Sequence, residues 1–401
     1  AAWDCLRGTP AEPGRVPDPV PGPTRGVVGG GHRGGGRAGA AAPLGGAVVV
    51  LDPTPDGPAA PVARDQVVGG FDDPDAFEAL AARVDTLTFE IELADSDLLD
   101  RVADEYGLSV NPAPETLGMI EDKLVQKRAL DSAGVPVPPF RRVDDADDLR
   151  DAVAEFGEVM LKARTGGYDG RGNVPVSDPD DADDAMAAVG GPAMAEAFVD
   201  FARELSVIAV QGDDEIRTFP AGENVHEAEI LRETVLPART TDERLERADA
   251  VARDVLDTLS GRGVFGIELF ETRTGEIQVN EIAPRPHNSG HWTIEGARTS
   301  QFEQHVRAVL GWPLGSTRLR CPTVMTNVLG TVEETRPARL GNVATVLEDP
   351  DASLHWYGKD DVRPLRKMGH VTVTGDGDHD PDGLLSHARE LRRELRFEGT
   401  D

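Results

Sequence analysis

Lysine is nearly missing from this sequence. Lys123, Lys127, Lys162, Lys359 and Lys367 are the only five in 401 residues, against 72 acidic residues and a formal net charge of −31. So negative a surface repels other anions, which excludes nucleic acid and anionic membrane surfaces as partners. It suits a protein kept soluble in concentrated salt, and salt adaptation is the expectation. Cysteine is scarcer still: Cys5 and Cys321 are the whole set. That excludes a disulfide framework and makes a reducing cytoplasm the expected compartment. No apolar run reaches the roughly 20 residues a membrane-spanning helix needs. No secretory leader is recognisable, and no internal repeat occurs. Where lysine is so rare, each one is informative.

At this length two or three domains are expected. Residues 1–24 are crowded with Pro, Gly and Arg and show no periodicity, so they read as a disordered tail. The Gly, Arg and Ala excess runs on toward residue 46, as an out-of-frame translation of a GC-rich gene would give. Part of 1–46 is therefore expected to be mis-translated or mis-annotated. From Arg25 to about residue 112, strands (Arg25–Val28, Ala47–Leu51, Asp85–Glu92) alternate with helices, which implies a parallel sheet. Gly29-Gly30-Gly31 after the first strand and Asp52 at the end of the second imitate a dinucleotide-binding fingerprint. The helix between them, His32–Leu44, contains Arg33-Gly34-Gly35-Gly36-Arg37. Glycine costs about 1 kcal/mol per helical site, so this helix is expected to be poor. Residues 113–320 mix helices and strands, and the segment from about 321 to 401 reads as short and β-rich.

The densest polar stretch is Asn280-Glu281-Ile282-Ala283-Pro284-Arg285-Pro286-His287-Asn288-Ser289-Gly290-His291. Just before it, Gly263–Glu271 and Glu276–Ile282 read as strands joined by a two-residue turn at Thr274-Gly275. That turn pairs 273 with 276, 270 with 279 and 268 with 281. Glu268 and Glu281 then lie opposite on one face, with Cβ atoms about 5 Å apart. Like charges at that distance need either water or a cation between them. A solvated hairpin meets the need one way. The polar turn that follows favours the other, with Mg²⁺ as the guest, since it takes one or two carboxylates together with phosphate oxygens.

Lys162 lies inside the strand Val159–Arg164, and Thr165-Gly166-Gly167-Tyr168-Asp169-Gly170-Arg171-Gly172 follows it. Four glycines leave backbone N–H groups free to wrap phosphate oxygens, and Lys162 would reach the same phosphates. Lys123 and Lys127 share a helical face at i, i+4; they are either a solvated face or an anion-facing pair. Glu196-Ala197-Phe198-Val199 close a strand and either offer backbone groups to an adenine edge or are plain core. Glu204 stands at the mouth of the next strand. His226 has no role assignable from spacing and reads as a satisfied loop histidine. Arg363, Arg366 and Lys367, with Lys359, make a knot of cations that fits a bound phosphate or a structural ion-pair cluster.

Together these residues resemble the ATP-grasp superfamily and, within it, the N5-carboxyaminoimidazole ribonucleotide synthetases of purine biosynthesis. The matches are the loop Gly166–Gly172, the run Asn280–Thr293, and Tyr357-Gly358-Lys359 with Arg366–His370. Thr299–His305 also agrees, and the similarity runs from about residue 25 to 375. The resemblance implies an α/β and α+β protein of three parts: a Rossmann-like pre-ATP-grasp domain over 25–112, an ATP-grasp domain over 113–320 and a small β-rich domain over 321–401. It implies an ATP-dependent carbon–nitrogen ligase, cytoplasmic and homodimeric. Such an enzyme phosphorylates bicarbonate to carboxyphosphate and carboxylates the exocyclic amine of aminoimidazole ribonucleotide. ATP and Mg²⁺ (or Mn²⁺) are the implied cofactors.

The same resemblance assigns residues. Lys123, Lys162, Gly166, Gly167, Tyr168, Asp169, Gly170, Arg171, Gly172, Glu196, Ala197, Phe198, Val199, Glu204, Asn280 and Glu281 would bind ATP, and Glu268 with Glu281 would hold the metal. Tyr168, Asp169, Arg171, Arg285, His287 and Asn288 would be the catalytic group around the ribonucleotide. Lys359, Arg366 and Lys367 would grip its 5′-phosphate. One departure is plain: the family's Gln-Leu-Gly-Arg after the first glycine triplet is here His32-Arg33-Gly34-Gly35. Other readings are a formate-dependent glycinamide ribonucleotide transformylase, a dinucleotide-binding dehydrogenase, and an impaired relative with a damaged N-terminal domain.

Overall fold

The computed structural model describes residues 22–166, 172–377 and 380–398. The first unit runs β1 (Thr24–Val28), α1 (His32–Ala41), β2 (Ala47–Asp52), β3 (Asp65–Val68), α2 (Pro74–Ala81), β4 (Thr86–Phe89), α3 (Ser96–Tyr106) and β5 (Ser109–Val110). Its five strands are parallel, in the order β3-β2-β1-β4-β5. Val48–Leu51 are buried without a break, as befits a strand covered on both faces.

The expectation of a poor first helix does not hold. His32–Ala41 is a regular helix, and two of its glycines answer to packing. A Cβ on Gly34 would lie 2.7 Å from Gly29 O, and one on Gly36 would lie 2.6 Å from the Phe302 ring. Close approach sets these positions, and helix propensity yields to it. Residues 24–46 therefore form β1 and α1 in an intact sheet; residues 1–21 lie outside the described residues.

The second unit begins with α4 (Pro114–Glu121) and α5 (Lys123–Ser132). Asp122 separates them: its backbone is extended, and its carboxylate accepts from the N–H groups of Leu124 and Val125. Next come β6 (Phe140–Val143), α6 (Ala146–Phe156), β7 (Val159–Ala163), β8 (Asn173–Val176), α7 (Ala182–Val189) and β9 (Ala193–Ala197). They make a four-stranded antiparallel sheet, β6-β9-β7-β8, whose apolar residues pack against α6 and α7.

The large sheet starts with β10 (Phe201–Gln211), β11 (Ile216–Thr218), β12 (Gly222–Glu227), β13 (Ile230–Leu236), α8 (Asp242–Leu256), β14 (Gly263–Thr272) and β15 (Ile277–Ala283). After α9 (Thr293–Gly296) and α10 (Gln301–Val309) it continues through β16 (Thr323–Leu329). The last stretch holds β17 (Arg336–Pro337), β18 (Leu340–Gly341), α11 (Val343–Leu347), β19 (Ala352–Trp356), β20 (Asp361–Val362), β21 (Lys367–Thr374), α12 (Pro381–Glu394) and β22 (Arg396–Phe397). The sheet order β15-β14-β10-β12-β13-β16-β21-β19 carries β16, β21 and β19 without interruption, while β17 pairs with β20 and β18 with β22 in separate two-stranded ribbons.

Two corrections follow. The C-terminal segment is not simply β-rich, because α12 spans 14 residues and buries Leu384, Leu385, Ala388 and Leu391 on one face. Asp380 accepts from the Asp382 N–H at its start and Pro381 opens the first turn, a helix-start signal that the sequence displays. His226 is not in a loop either; it lies within β12.

Candidate active site

A cleft of about 1260 Å³ opens between the four-stranded sheet, the large sheet and the carboxyl ends of the parallel strands. All five lysines of the chain line it.

The opposed glutamates are built by compensation. The turn between β14 and β15 holds three residues: Gly275 N–H donates to Thr272 O at 3.0 Å, and Thr272 N–H to Glu276 O at 2.9 Å. Gly275 sits at φ +91°, the left-handed residue such a loop requires. The pairing thus starts one residue away from the expected register, with Phe270 opposite Gln278 rather than Val279. Asn280 is then bulged out of the ladder, so Leu269 faces Val279 while Glu268 faces Glu281. A bulge re-aims side chains, and this one brings Asn280 Oδ1 to 3.3 Å from Lys162 Nζ.

Glu268 and Glu281 are charged unequally. Burial pushes the Glu268 carboxyl up to about 7, with the Glu281 and Glu204 charges adding to it and His226 and Lys367 opposing. Glu281 is held below the usual carboxylate range, chiefly by the Lys123 ammonium 3.0 Å away. Among the described residues no three His, Cys, Asp or Glu side chains converge as a self-sufficient metal cage. Two hard oxygen donors whose charges repel fit an ion that completes its shell with phosphate oxygens and water.

Glu196 lies between two ammonium groups: Lys127 Nζ is 2.6 Å from Oε2 and Lys162 Nζ 2.6 Å from Oε1. Burial alone would raise this carboxyl, but the two cations outweigh it and hold it low. The Glu196 side chain therefore braces Lys162. Lys127 is fully buried rather than on a solvated face, and it donates to Val279 O at 2.8 Å. Ala197, Phe198 and Val199 do line the cleft. The N–H groups of Ala197 and Phe198 already bond Pro139 O and Glu158 O, so those two donors are not open to a base.

Glu204 Oε2 bonds His226 Nδ1 at 2.6 Å, and both line the cleft. His226 is thus a site residue that spacing did not mark, because its segment was taken for a loop. Of the glycine loop, Gly166 and Gly172 frame the opening at φ +75° and +81°, and Ala163 N–H donates to Gly172 O at 2.8 Å. Gly167, Tyr168, Asp169, Gly170 and Arg171 lie outside the described residues.

Arg285 pairs with Glu92 at 2.7 Å. Glu92 belongs to the acidic pair that ends the third expected strand, a signal left without a role. His287 Nδ1 is 2.9 Å from Ser289 Oγ, and burial with nearby Arg285 and Lys367 keeps its ring neutral. Asn288 and Asn327 exchange amide hydrogen bonds at 3.1 and 2.9 Å, which braces the polar turn against β16. Lys359 Nζ donates to Lys367 O at 2.6 Å, and Arg366 to Asp361 O at 2.7 Å. With Arg363 they line the cleft.

The glycine turn after β1 is not a dinucleotide cradle. Gly30 N–H donates to Asp52 Oδ2 at 2.8 Å and Gly31 N–H to Glu90 Oε1 at 2.5 Å. Carboxylates of the protein occupy the donors that a pyrophosphate would need, which removes the dehydrogenase reading.

Comparison with known proteins agrees. Three family profiles match in succession: the ribonucleotide synthetase preATP-grasp domain over residues 23–121, the ATP-grasp domain over 128–302, and the phosphoribosylaminoimidazole carboxylase C-terminal domain over 323–381. The N5-carboxyaminoimidazole ribonucleotide synthase of Brucella melitensis is 40% identical over 338 residues, covering 83% of this chain and 91% of that one. The phosphoribosylaminoimidazole carboxylase of Ogataea methanolica is 39% identical over 83% of this chain, which spans only 63% of that longer protein. The crystal structure of the Aspergillus clavatus N5-carboxyaminoimidazole synthase with ADP and 5-aminoimidazole ribonucleotide superposes with a TM-score of 0.84 at 33% identity, covering 92% of this chain and 98% of that one. In sequence, in the succession of its domains and in overall structure, the chain belongs to the N5-carboxyaminoimidazole ribonucleotide synthase family of ATP-grasp enzymes.

Proposed function

We propose that this chain carboxylates the exocyclic amine of 5-aminoimidazole ribonucleotide with bicarbonate and ATP. The products are N5-carboxyaminoimidazole ribonucleotide, ADP and phosphate, a step of purine biosynthesis. The observation that supports it most is that one cleft brings together the opposed carboxylates, all five lysines and the cations Arg363 and Arg366. Phosphoryl transfer needs positioning and charge neutralisation more than covalent help from the protein, and these residues supply both.

Lys162, braced by Glu196, and Lys123 would hold the nucleotide phosphates. Glu204 with His226 would take the ribose hydroxyls, and Ala197–Val199 would wall the base. Glu268 and Glu281, with Asn280 beside them, would hold Mg²⁺, which when bound draws off charge from the transferring phosphoryl group. Arg285, His287 and the cations Lys359, Arg366 and Lys367 would orient the ribonucleotide, the last three on its 5′-phosphate. The loop Gly166–Gly172, with Tyr168, Asp169 and Arg171, would close over the nucleotide. Closure matters because carboxyphosphate is destroyed by water. The homodimer and the cytoplasmic setting are carried over from the family resemblance, and the acidic surface supports a salt-rich one.

Phosphate release from ATP, measured with and without 5-aminoimidazole ribonucleotide and bicarbonate, tests the proposal. Release that requires both is the expected result. Release indifferent to both, or supported by formate with glycinamide ribonucleotide, would overturn it.

A further inference from the structure

His32 lines the cleft as the first residue of α1. Its ring is fixed on two sides. It stacks on Tyr357, with centroids 4.0 Å apart and planes 17° from parallel, and it meets His291 edge-on at 5.4 Å. Its Nε2 lies 3.3 Å from His291 Nε2. One of these two nitrogens must carry the proton.

The neighbours decide which. His287 N–H donates to Gln301 Oε1 at 2.9 Å, so the Gln301 amide has one orientation. Its Nε2 then donates to His287 O at 2.8 Å and to His291 Nδ1 at 3.0 Å. His291 Nδ1 accepts and bears no hydrogen. The neutral His291 ring keeps its proton on Nε2 and gives it to His32 Nε2. Burial, with Arg33 among the neighbouring cations, holds both rings neutral. The single proton of His32 is therefore on Nδ1, and among the described residues nothing bonds that atom. Lys359 Nζ lies 5.7 Å from the centroid of the same Tyr357 ring that carries His32.

We infer that His32 presents an Nδ1–H donor to the cleft, set by the Gln301–His291 relay, and that this donor takes an oxygen of the anionic group of the ribonucleotide beside Lys359. The inference deepens the proposed carboxylation and rests on it. The donor differs from the point charges around it because it is directional and does not depend on pH near neutrality.

Two measurements test it. Nitrogen-15 NMR of histidine-labelled wild-type protein should show His32 as the Nδ1–H tautomer; an Nε2–H or doubly protonated ring overturns the inference whatever the enzyme catalyses. In steady-state assays His32→Phe, which keeps the stacking, should raise KM for 5-aminoimidazole ribonucleotide by about tenfold or more with a smaller effect on KM for ATP. His32→Asn, whose amide N–H falls near the Nδ1 position, should recover most of the loss. Equal KM values for the ribonucleotide in wild type and His32→Phe would sink the role. A wild type that never turns over the ribonucleotide would instead sink the carboxylation, leaving the tautomer to be judged by NMR.

Discussion

Lys127 and Glu196 form an ion pair of 2.6 Å with 2% and 3% of their side chains exposed. The same ammonium reaches Val279 O, so one side chain of α5 ties the four-stranded sheet to the large one. Breaking a buried pair from one side costs about 3–5 kcal/mol, because a charge is left without its partner. Lys127→Met is expected to lower the urea midpoint accordingly and to raise KM for ATP, since Glu196 would then lean on Lys162 alone. The double variant Lys127→Met/Glu196→Gln should be more stable than Lys127→Met. The reverse order would show that the pair is not what holds this corner.

Glu268→Gln and Glu281→Gln each remove one of two facing carboxylates. If they hold Mg²⁺ as proposed, each change forfeits several kcal/mol of charge stabilisation, about a hundredfold or more in kcat. Phosphate release followed across a Mg²⁺ titration should show lower turnover and a higher Mg²⁺ requirement for both. Wild-type titration curves from either variant would remove the clamp.

The His226–Glu204 pair gives a signed pH dependence. Burial disfavours the charged ring, but the hydrogen bond to Glu204 and the charges of Glu268 and Glu204 outweigh it and raise its pKa above 6.5. A histidine raised in the folded state adds stability that is fully present below its unfolded value and fades as pH climbs through the folded one. Buried histidines held neutral, such as His32 and His291, act in the opposite sense, so the His226 contribution is read as a difference: the thermal midpoint of wild type minus that of His226→Gln should fall as pH climbs above 6.5. A difference that grows with pH would contradict the sign.

Surface charge should govern the response to salt. With a net charge of −31, self-repulsion acts over a screening length of about 10 Å at 0.1 M salt and about 3 Å at 1 M. The thermal midpoint is expected to rise steadily with KCl over that range. A midpoint that stays flat or falls would dispose of salt adaptation.

Gly36→Ala opposes two rules. Helix propensity alone favours alanine by about 1 kcal/mol. The added methyl would meet the Phe302 ring at 2.6 Å, and overpacking costs about 1–3 kcal/mol. A net loss of stability in urea titration is expected; Gly39→Ala, with nothing within 4 Å, should gain instead.

The sequence displayed the chemistry more openly than the geometry that delivers it. Glu268 opposite Glu281 was expected from a two-residue turn, and the pairing is present. It arises from a three-residue turn whose shift is cancelled by the bulge at Asn280, and no alternation of apolar and polar residues announces a bulge. Spacing put Lys123 and Lys127 on one helical face but could not say what that face meets. One ammonium ends on Glu281 and the other deep inside against Glu196. Gly36 of α1 had no visible reason in the sequence because the Phe302 ring it meets is far along the chain. His226 was overlooked for the same cause: its partner Glu204 is on a neighbouring strand, and strand pairing is a long-range property.

The unbroken run of strands from β15 to β19 also bears on how the site keeps its shape. Glu281 and Lys367 stand on strands of one sheet, so main-chain ladders set their separation. Lys162 stands on the four-stranded sheet, which shares no ladder with the large one. Its distance from the paired acids is instead kept by side chains, Lys127 against Val279 O and Lys162 against Asn280.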